Sequence, residues 1–321
     1  MAAVSSDLAD FVASHGGEGS LRVEENLGGG YVRLRVAEAE RRQAKHDIRC
    51  VEDVVVEMLR NSRDAGARRI FVATARGGDT RTLTVVDDGS GIPQDMRERV
   101  FDARVTSKLE SMRMDRWGVH GRGMALFSVR ENASSARVMD SAPDKGSSIR
   151  VVTDATRLPE RADQSSWPSV GADDDGVQTV VRGPHNIIRS CCEFALEERG
   201  VCDVYVGSPA EIVATARRRV KPSLSSTDLL FVDSLRELPV LERLAAAADA
   251  GELREVADSM GLEVSERTAH RIMAGQVRSL RSVLSRLTHK PSDGGAEVDL
   301  LKDSRGLRIT RDDQDEFSRV M

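Results

Sequence analysis

The chain is poor in aromatic residues, which make up 3% of its 321 positions, so its core must be built from Val, Leu, Ala and Met. Cysteine is scarce too. Cys50, Cys191, Cys192 and Cys202 form no Cys-x-x-Cys pair and have no histidine at metal spacing. Such thiols read as reduced core residues of a cytoplasmic protein. Long apolar runs are missing: nothing approaches the ~20 residues that span a bilayer, and the N-terminus carries acid early where a signal peptide would be apolar. A membrane partner is therefore not expected. Basic excess is missing as well. Lys and Arg number 47 against 52 Asp and Glu, a net charge of −5, which speaks against a chain-wide nucleic-acid footprint and leaves local basic patches open.

What is present is a composition for folding, with 40% hydrophobic and 31% charged residues. The length suggests two domains, or one large domain with an appendage. Residues 1–30 read as a short helix over Asp7–Ser14 and a glycine-rich linker ending at Gly28-Gly29-Gly30. Tyr31–Val36 reads as a strand and Ala37–Lys45 as a charged helix. Residues 47–65 form the clearest helix: Val51, Val54, Val55, Met58 and Leu59 recur at helical spacing on one stripe. Glu57, Asn61 and Asp64 fall on another, centred roughly 120° away at ~100° per residue. By themselves Glu57 and Asn61 read as a solvated face. Gly66 is placed to cap the helix end.

Two strands, Arg69–Thr74 and Arg81–Val86, flank a Gly77-Gly78 turn, and the second runs into Asp87-Asp88-Gly89-Ser90-Gly91. A carboxylate that ends a buried strand needs donors, and glycines let backbone approach a flat ligand. An ordinary tight turn has the same composition. Pro93–Phe101 reads as a short helix. Residues 102–120 lack periodicity, as a lid does. Gly118, Gly121 and Gly123 then precede the helical run Met124–Val129, which brings backbone N–H groups to a helix N-terminus, an arrangement suited to anions. Strands at Ala136–Met139 and Ser148–Val152 surround a Pro143–Gly146 turn.

Glu-x-x-x-Asn at 57 and 61, Asp-x-Gly-x-Gly at 87–91, a glycine box after a lid, and Gly146-Ser147 before a last strand together resemble the GHKL ATPase superfamily. The stretches Glu57–Ala67, Thr106-Ser107-Lys108 and Gly118–Ser128 are nearest in motif to MutL and topoisomerase VI B subunit ATPase domains. The resemblance covers roughly residues 35–155. It implies an α+β fold with a GHKL (Bergerat) α/β sandwich domain that binds ATP and Mg2+. Asn61 is the implied Mg2+ ligand. Asp87 is the implied acceptor for the adenine amino group, with Gly91 letting the base lie close and Ser147 supporting it. Gly121, Arg122, Gly123 and Met124 are the implied phosphate-binding amides. Asp64, Gly89, Ile92, Thr106, Gly118 and Ala125 belong to the same nucleotide-binding boxes. Lys108 reads equally as a phosphate contact or a solvated lid lysine. Glu57 stands where hydrolysing members carry the base that activates water and where histidine kinases usually carry an amide. A carboxylate four residues before a metal ligand is placed to take a proton from water in line with the terminal phosphate, so hydrolysis is favoured over phosphotransfer.

Beyond residue 155 the resemblance fades. Residues 156–225 read as a small βαβα, transducer-like unit (strand Val177–Val181, helix Asn186–Glu198, strand Cys202–Val206, helix Pro209–Arg219), with Lys221 as a candidate phosphate lysine. Residues 226–290 are mainly helical, and 291–321 read as linker, hairpin and acidic tail. Around Ala257–Thr268 a helix-turn-helix is one reading and a plain helical bundle the preferred one. Arg271, Arg278, Arg281 and Arg286 lie within 253–290, the stretch that would meet DNA. The expected protein is an ATPase whose lid closes on ATP and drives dimerisation through the N-terminal domain, with DNA as its field of action. A GHKL-type kinase, or an ATP-sensing module acting on a protein partner, is the alternative.

Overall fold

Three consecutive glycines turn the chain within its first described element. β1 (Val23–Gly28) and β2 (Tyr31–Leu34) pair antiparallel with Gly28 opposite Tyr31, leaving Gly29 and Gly30 as the loop. Their φ values of 57° and 82° suit a two-residue hairpin turn that follows strand twist. The sequence reading took this triplet for a linker, because the polar stretch Val-Glu-Glu-Asn-Leu-Gly, largely exposed, carries no strand pattern. The computed structural model describes residues 23–35, 38–107, 113–115, 118–120, 123–161, 163–172, 176–224, 232 and 234–288. The expected Asp7–Ser14 helix and the 291–321 segment lie outside these residues.

α1 (Glu38–Asp47) leads into α2 (Val51–Asp64). All five residues of the α2 apolar stripe, from Val51 to Leu59, are at most 1% exposed. The helix ends in a Schellman motif: Gly66 N–H donates to Arg63 O and Ala67 N–H to Ser62 O, with Gly66 at φ 73°. β3 (Arg69–Gly77) and β4 (Thr80–Asp87) form the expected hairpin. The Pro93–Phe101 stretch folds as two three-residue 3₁₀ turns, Gln94–Met96 and Arg99–Phe101, rather than one helix. The lid stretch holds β5 (Val105–Thr106), which pairs with β2, and a small hairpin of β6 (Arg113–Asp115) and β7 (Gly118–His120). α3 (Ala125–Asn132), β8 (Ser135–Ser141) and β9 (Ser147–Asp154) follow.

The later chain adds β10 (Ser169–Ala172), β11 (Gln178–Arg182), α4 (Ile187–Glu197), β12 (Asp203–Gly207) and α5 (Pro209–Arg219). It continues with α6 (Val240–Ala246), α7 (Ala250–Ser259), α8 (Glu266–Met273) and α9 (Val283–Thr288). A five-stranded sheet in the order β12-β3-β4-β9-β8 organises these parts, with β12 parallel to β3 and the other pairs antiparallel. Thus residues 156–225 supply an edge strand to the main sheet.

Both faces of that sheet are covered, and in β3 Ile70-Phe71-Val72-Ala73 is accordingly a continuous apolar run. Ile70, Val72, Leu83, Val85, Val204 and Val206 pack in one cluster with α2 and α4. The alternate residues Phe71, Ala73, Val86 and Tyr205 pack with α5 and with Leu241, Leu244, Leu253, Met260, Leu262 and Ile272 of the helical region. Two hydroxyls on this second face are satisfied by the α7–α8 turn: Thr84 Oγ1 donates to Gly261 O at 2.9 Å and Ser148 Oγ to Met260 O at 2.6 Å. The helical residues therefore form a layer over the sheet. The basic side chains Arg271, Arg278 and Arg281 remain exposed there, and Arg286 is exposed on α9, which packs in the other cluster with its guanidinium over Trp167.

Candidate nucleotide site

Asp87 is the last residue of β4 and lies directly opposite Ser147, the first of β9. That register brings Ser147 Oγ to donate to Asp87 Oδ2 at 2.8 Å. Ser62 Oγ, from α2, donates to the same oxygen at 2.9 Å, and Gly89 N–H donates to Oδ1 at 2.9 Å. Burial pushes the Asp87 carboxyl above the usual carboxylate range, and these three donors act against that shift. The next residue points the other way. Asp88 accepts from the Arg68 and Arg69 N–H groups, each at 2.8 Å, and from Arg69 Nε at 2.9 Å, which ties the start of β3.

The glycine loop is fastened to the β8–β9 turn. Asp144 N–H donates to Ser90 O at 2.7 Å, Gly146 N–H to Gly89 O at 3.0 Å, and Ile92 N–H to Ser141 Oγ at 2.7 Å. Gly91 has φ 70°, and a Cβ there would collide with the Ala142 carbonyl oxygen. The glycine is needed for backbone packing, quite apart from any ligand.

Beside Asp87 lies an open cleft. Nine of the sequence-derived site residues line it together: Asn61, Asp64, Asp87, Gly91, Ile92, Thr106, Gly123, Ala125 and Ser147. Met58, Val100, Val105, Leu126 and Ile149 make the wall apolar, as a slot for a flat ring requires. Gly123, Ala125 and Leu126 bring the N-terminus of α3 to the cleft, and its N-cap residue Met124 supplies no side-chain cap. Gly123, at φ 68°, accepts a hydrogen bond from Arg104 N–H at 2.8 Å and lies against the Val105 carbonyl. Glu57, Gly89 and Met124 lie outside the lining, Gly118 is described only as the first residue of β7, and Lys108, Gly121 and Arg122 fall outside the described residues. Lys221 is exposed on the segment after α5.

Glu57 stands one turn before Asn61, and its Oε1 pairs with Arg60 Nη1 at 2.8 Å. A buried ion network continues from there through Asp115, Arg63, Asp64 and Glu198. Sequence reasoning missed Ser62, Tyr31 and Ser107. Ser62 had a signal: it continues the buried stripe after Val51, Val55 and Met58, and a hydroxyl on an apolar stripe needs a buried partner. Tyr31 and Ser107 line the cleft together, and burial raises the Tyr31 phenol while the nearby Ser107 hydroxyl opposes the rise. No local pattern joins β2 to the lid, so this pair had no signal.

Residues 46–157 match the family model described as histidine kinase-, DNA gyrase B- and HSP90-like ATPase. With the Asp87 cluster and the α3 terminus in one cleft, this part of the chain is an ATPase domain of the GHKL superfamily. Among curated proteins it is similar to the DNA mismatch repair protein MutL. The Thermus aquaticus protein is 41% identical over 85 residues, 26% of this chain and 15% of that protein. That of Pseudomonas paraeruginosa is 36% identical over 117 residues, 36% of this chain and 18% of that protein. The match therefore spans less than a fifth of the length of these relatives. A solved structure, full-length ShkA in complex with AMPPNP, aligns at 14% identity and a TM-score of 0.24, over 60% of this chain and 42% of that one, too remote to carry an argument. Among the described residues no helix is long and apolar enough to cross a membrane.

Proposed function

We propose that the chain binds Mg2+-ATP in this cleft and hydrolyses it. The observation that carries this reading is Asp87, held by Ser62, Ser147 and Gly89 at the wall of a cleft that also receives the N-terminus of α3. All three protein donors point at the carboxylate, which keeps it an acceptor for an exocyclic amino group such as that of adenine. The amides of Gly123 to Leu126 are suited to phosphate oxygens. Asn61 fits a Mg2+ site in kind, since Mg2+ takes one or two protein oxygens and fills its shell with phosphate and water. The bound ion would screen charge on the phosphates. Glu57 takes the proton of the attacking water.

The wider reading joins this site to DNA. ATP draws residues 102–120 over the nucleotide, and the closed form pairs with a second copy through the N-terminal domain. The exposed arginines at 271, 278, 281 and 286 supply phosphate contacts. The MutL relatives support this direction. Four free, buried thiols support a reducing compartment such as the cytoplasm. The test is steady-state phosphate release with Mg2+-ATP, with and without duplex DNA, for the wild type and for Glu57→Ala. Turnover stimulated by DNA and lost in the variant is expected. Hydrolysis that survives in Glu57→Ala refutes the assigned base, and phosphate appearing on a protein instead of in solution favours the kinase reading.

A further inference from the structure

Among the described residues, the lid hairpin meets α2 through a carboxylate. Asp115, at the end of β6, meets Arg60 Nε at 2.9 Å and Arg63 Nη1 at 3.1 Å. Arg60 Nη1 in turn holds Glu57 Oε1 at 2.8 Å. Arg63 is committed elsewhere, to Asp64 and Glu198, each at 2.8 Å. Both arginine side chains are buried, at 4% and 1% exposure, so they are fixed by their acids and not by water. A guanidinium is planar and keeps its proton. Arg60 Nη1 donates to Glu57, and Asp115 pairs with the same guanidinium at ion-pair distance, so a single rigid group links the two carboxylates.

From this geometry we infer that Arg60 is a positioning residue for the Glu57 carboxylate, and that Asp115 makes the position of that carboxylate depend on the lid hairpin. The inference rests on the reading of Glu57 as the base. A general base works only when held in reach and in line. A single glutamate on a helix surface samples several rotamers, and Arg60 removes that freedom. Through Asp115 the lid hairpin takes part in aiming the base.

The experiment compares phosphate release and ATP dissociation constants for Glu57→Ala, Arg60→Gln, Arg60→Lys, Asp115→Asn and the Arg60→Gln/Asp115→Asn double variant. Arg60→Gln should lose about tenfold or more in kcat, a fraction of the full effect of a general base, with ATP affinity within about threefold of wild type. Arg60→Lys, which keeps the charge, should recover part of the loss. Asp115→Asn should lower kcat about threefold or more, and the double variant should be no slower than Arg60→Gln, since residues acting through one group are not additive. If Arg60→Gln does not fold, Asp115→Asn carries the test, and wild-type kcat in it overturns the inference. Wild-type turnover in Arg60→Gln with a dead Glu57→Ala overturns the role of Arg60 and leaves the base assignment standing. Hydrolysis that persists in Glu57→Ala overturns both. Affinity falling in step with kcat in Arg60→Gln assigns Arg60 to the fold alone and likewise overturns it.

Discussion

Replacing Asp87 by Asn separates recognition of the base from stability of the fold. The change is nearly isosteric and removes a charge from a fully buried site whose carboxyl burial has already pushed upward. The amide nitrogen can occupy the Oδ2 position, because the Ser62 and Ser147 hydroxyls that now donate there, at 2.9 and 2.8 Å, can rotate to accept. The amide oxygen keeps the Gly89 N–H. Folding should therefore lose little, and at neutral pH it should gain. The sign follows from linkage: a carboxyl whose folded pKa is raised costs stability as pH climbs past its ordinary value, and Asn removes that cost. Ligand binding fares differently. An adenine amino group that met a carboxylate now meets an amide already using its oxygen. The lost charge-assisted bond is worth roughly 1.5–3 kcal/mol, which is about tenfold to 150-fold in Kd. Titration calorimetry with ATP measures this, and thermal unfolding with and without nucleotide checks it. At 100 times its Kd, ATP should stabilise the wild type by about 2.7 kcal/mol, and the variant at the same concentration by far less. ATP affinity in Asp87→Asn within about threefold of wild type would refute this role for Asp87 and with it the placement of adenine.

Other perturbations give distinct outcomes. ATP affinity of the wild type should fall as pH drops through the raised Asp87 pKa, so the loss begins above the ordinary aspartate value of about 3.9, and Asp87→Asn should abolish that dependence. Ser147→Ala removes one donor to the carboxylate and should move this midpoint upward, readable by calorimetry across pH. Gly91→Ala forces a side chain into φ 70° and onto the Ala142 carbonyl, and should cost on the order of 3 kcal/mol or more in chemical denaturation. Leu253→Ala, at a fully buried position beneath the sheet, should cost about 2–5 kcal/mol while leaving ATP affinity unchanged in the folded fraction.

Elements with a strong period were legible from sequence. The α2 stripe, the β3–β4 hairpin and the α5 helix are each fixed by local pattern, and the structure places them within a few residues of expectation. Asp87, Gly91 and Ser147, singled out from sequence, are brought together in one cleft. Four things were not legible. The polar β1 has no alternating pattern to betray it. β12 resembles any short apolar strand, and only its parallel pairing with β3, more than a hundred residues earlier, puts it at the sheet edge. The placement of the helical region also escaped. Phe71, Val86 and Tyr205 signal a second buried face, but nothing local says which helices cover it. The ion network failed for a related reason. Arg60 and Arg63 look like solvated helix residues until Asp115 and Glu198 arrive from distant segments.

Ser147 and Ser148 are neighbours that look in opposite directions. One bonds the Asp87 carboxylate in the cleft, the other the Met260 carbonyl behind the sheet. A single strand thus serves as a party wall, one residue thick, between the Asp87 cleft and the helical layer. Adjacent residues of a paired strand cannot slide independently, so β9 ties the cleft and the α7–α8 turn directly to one another.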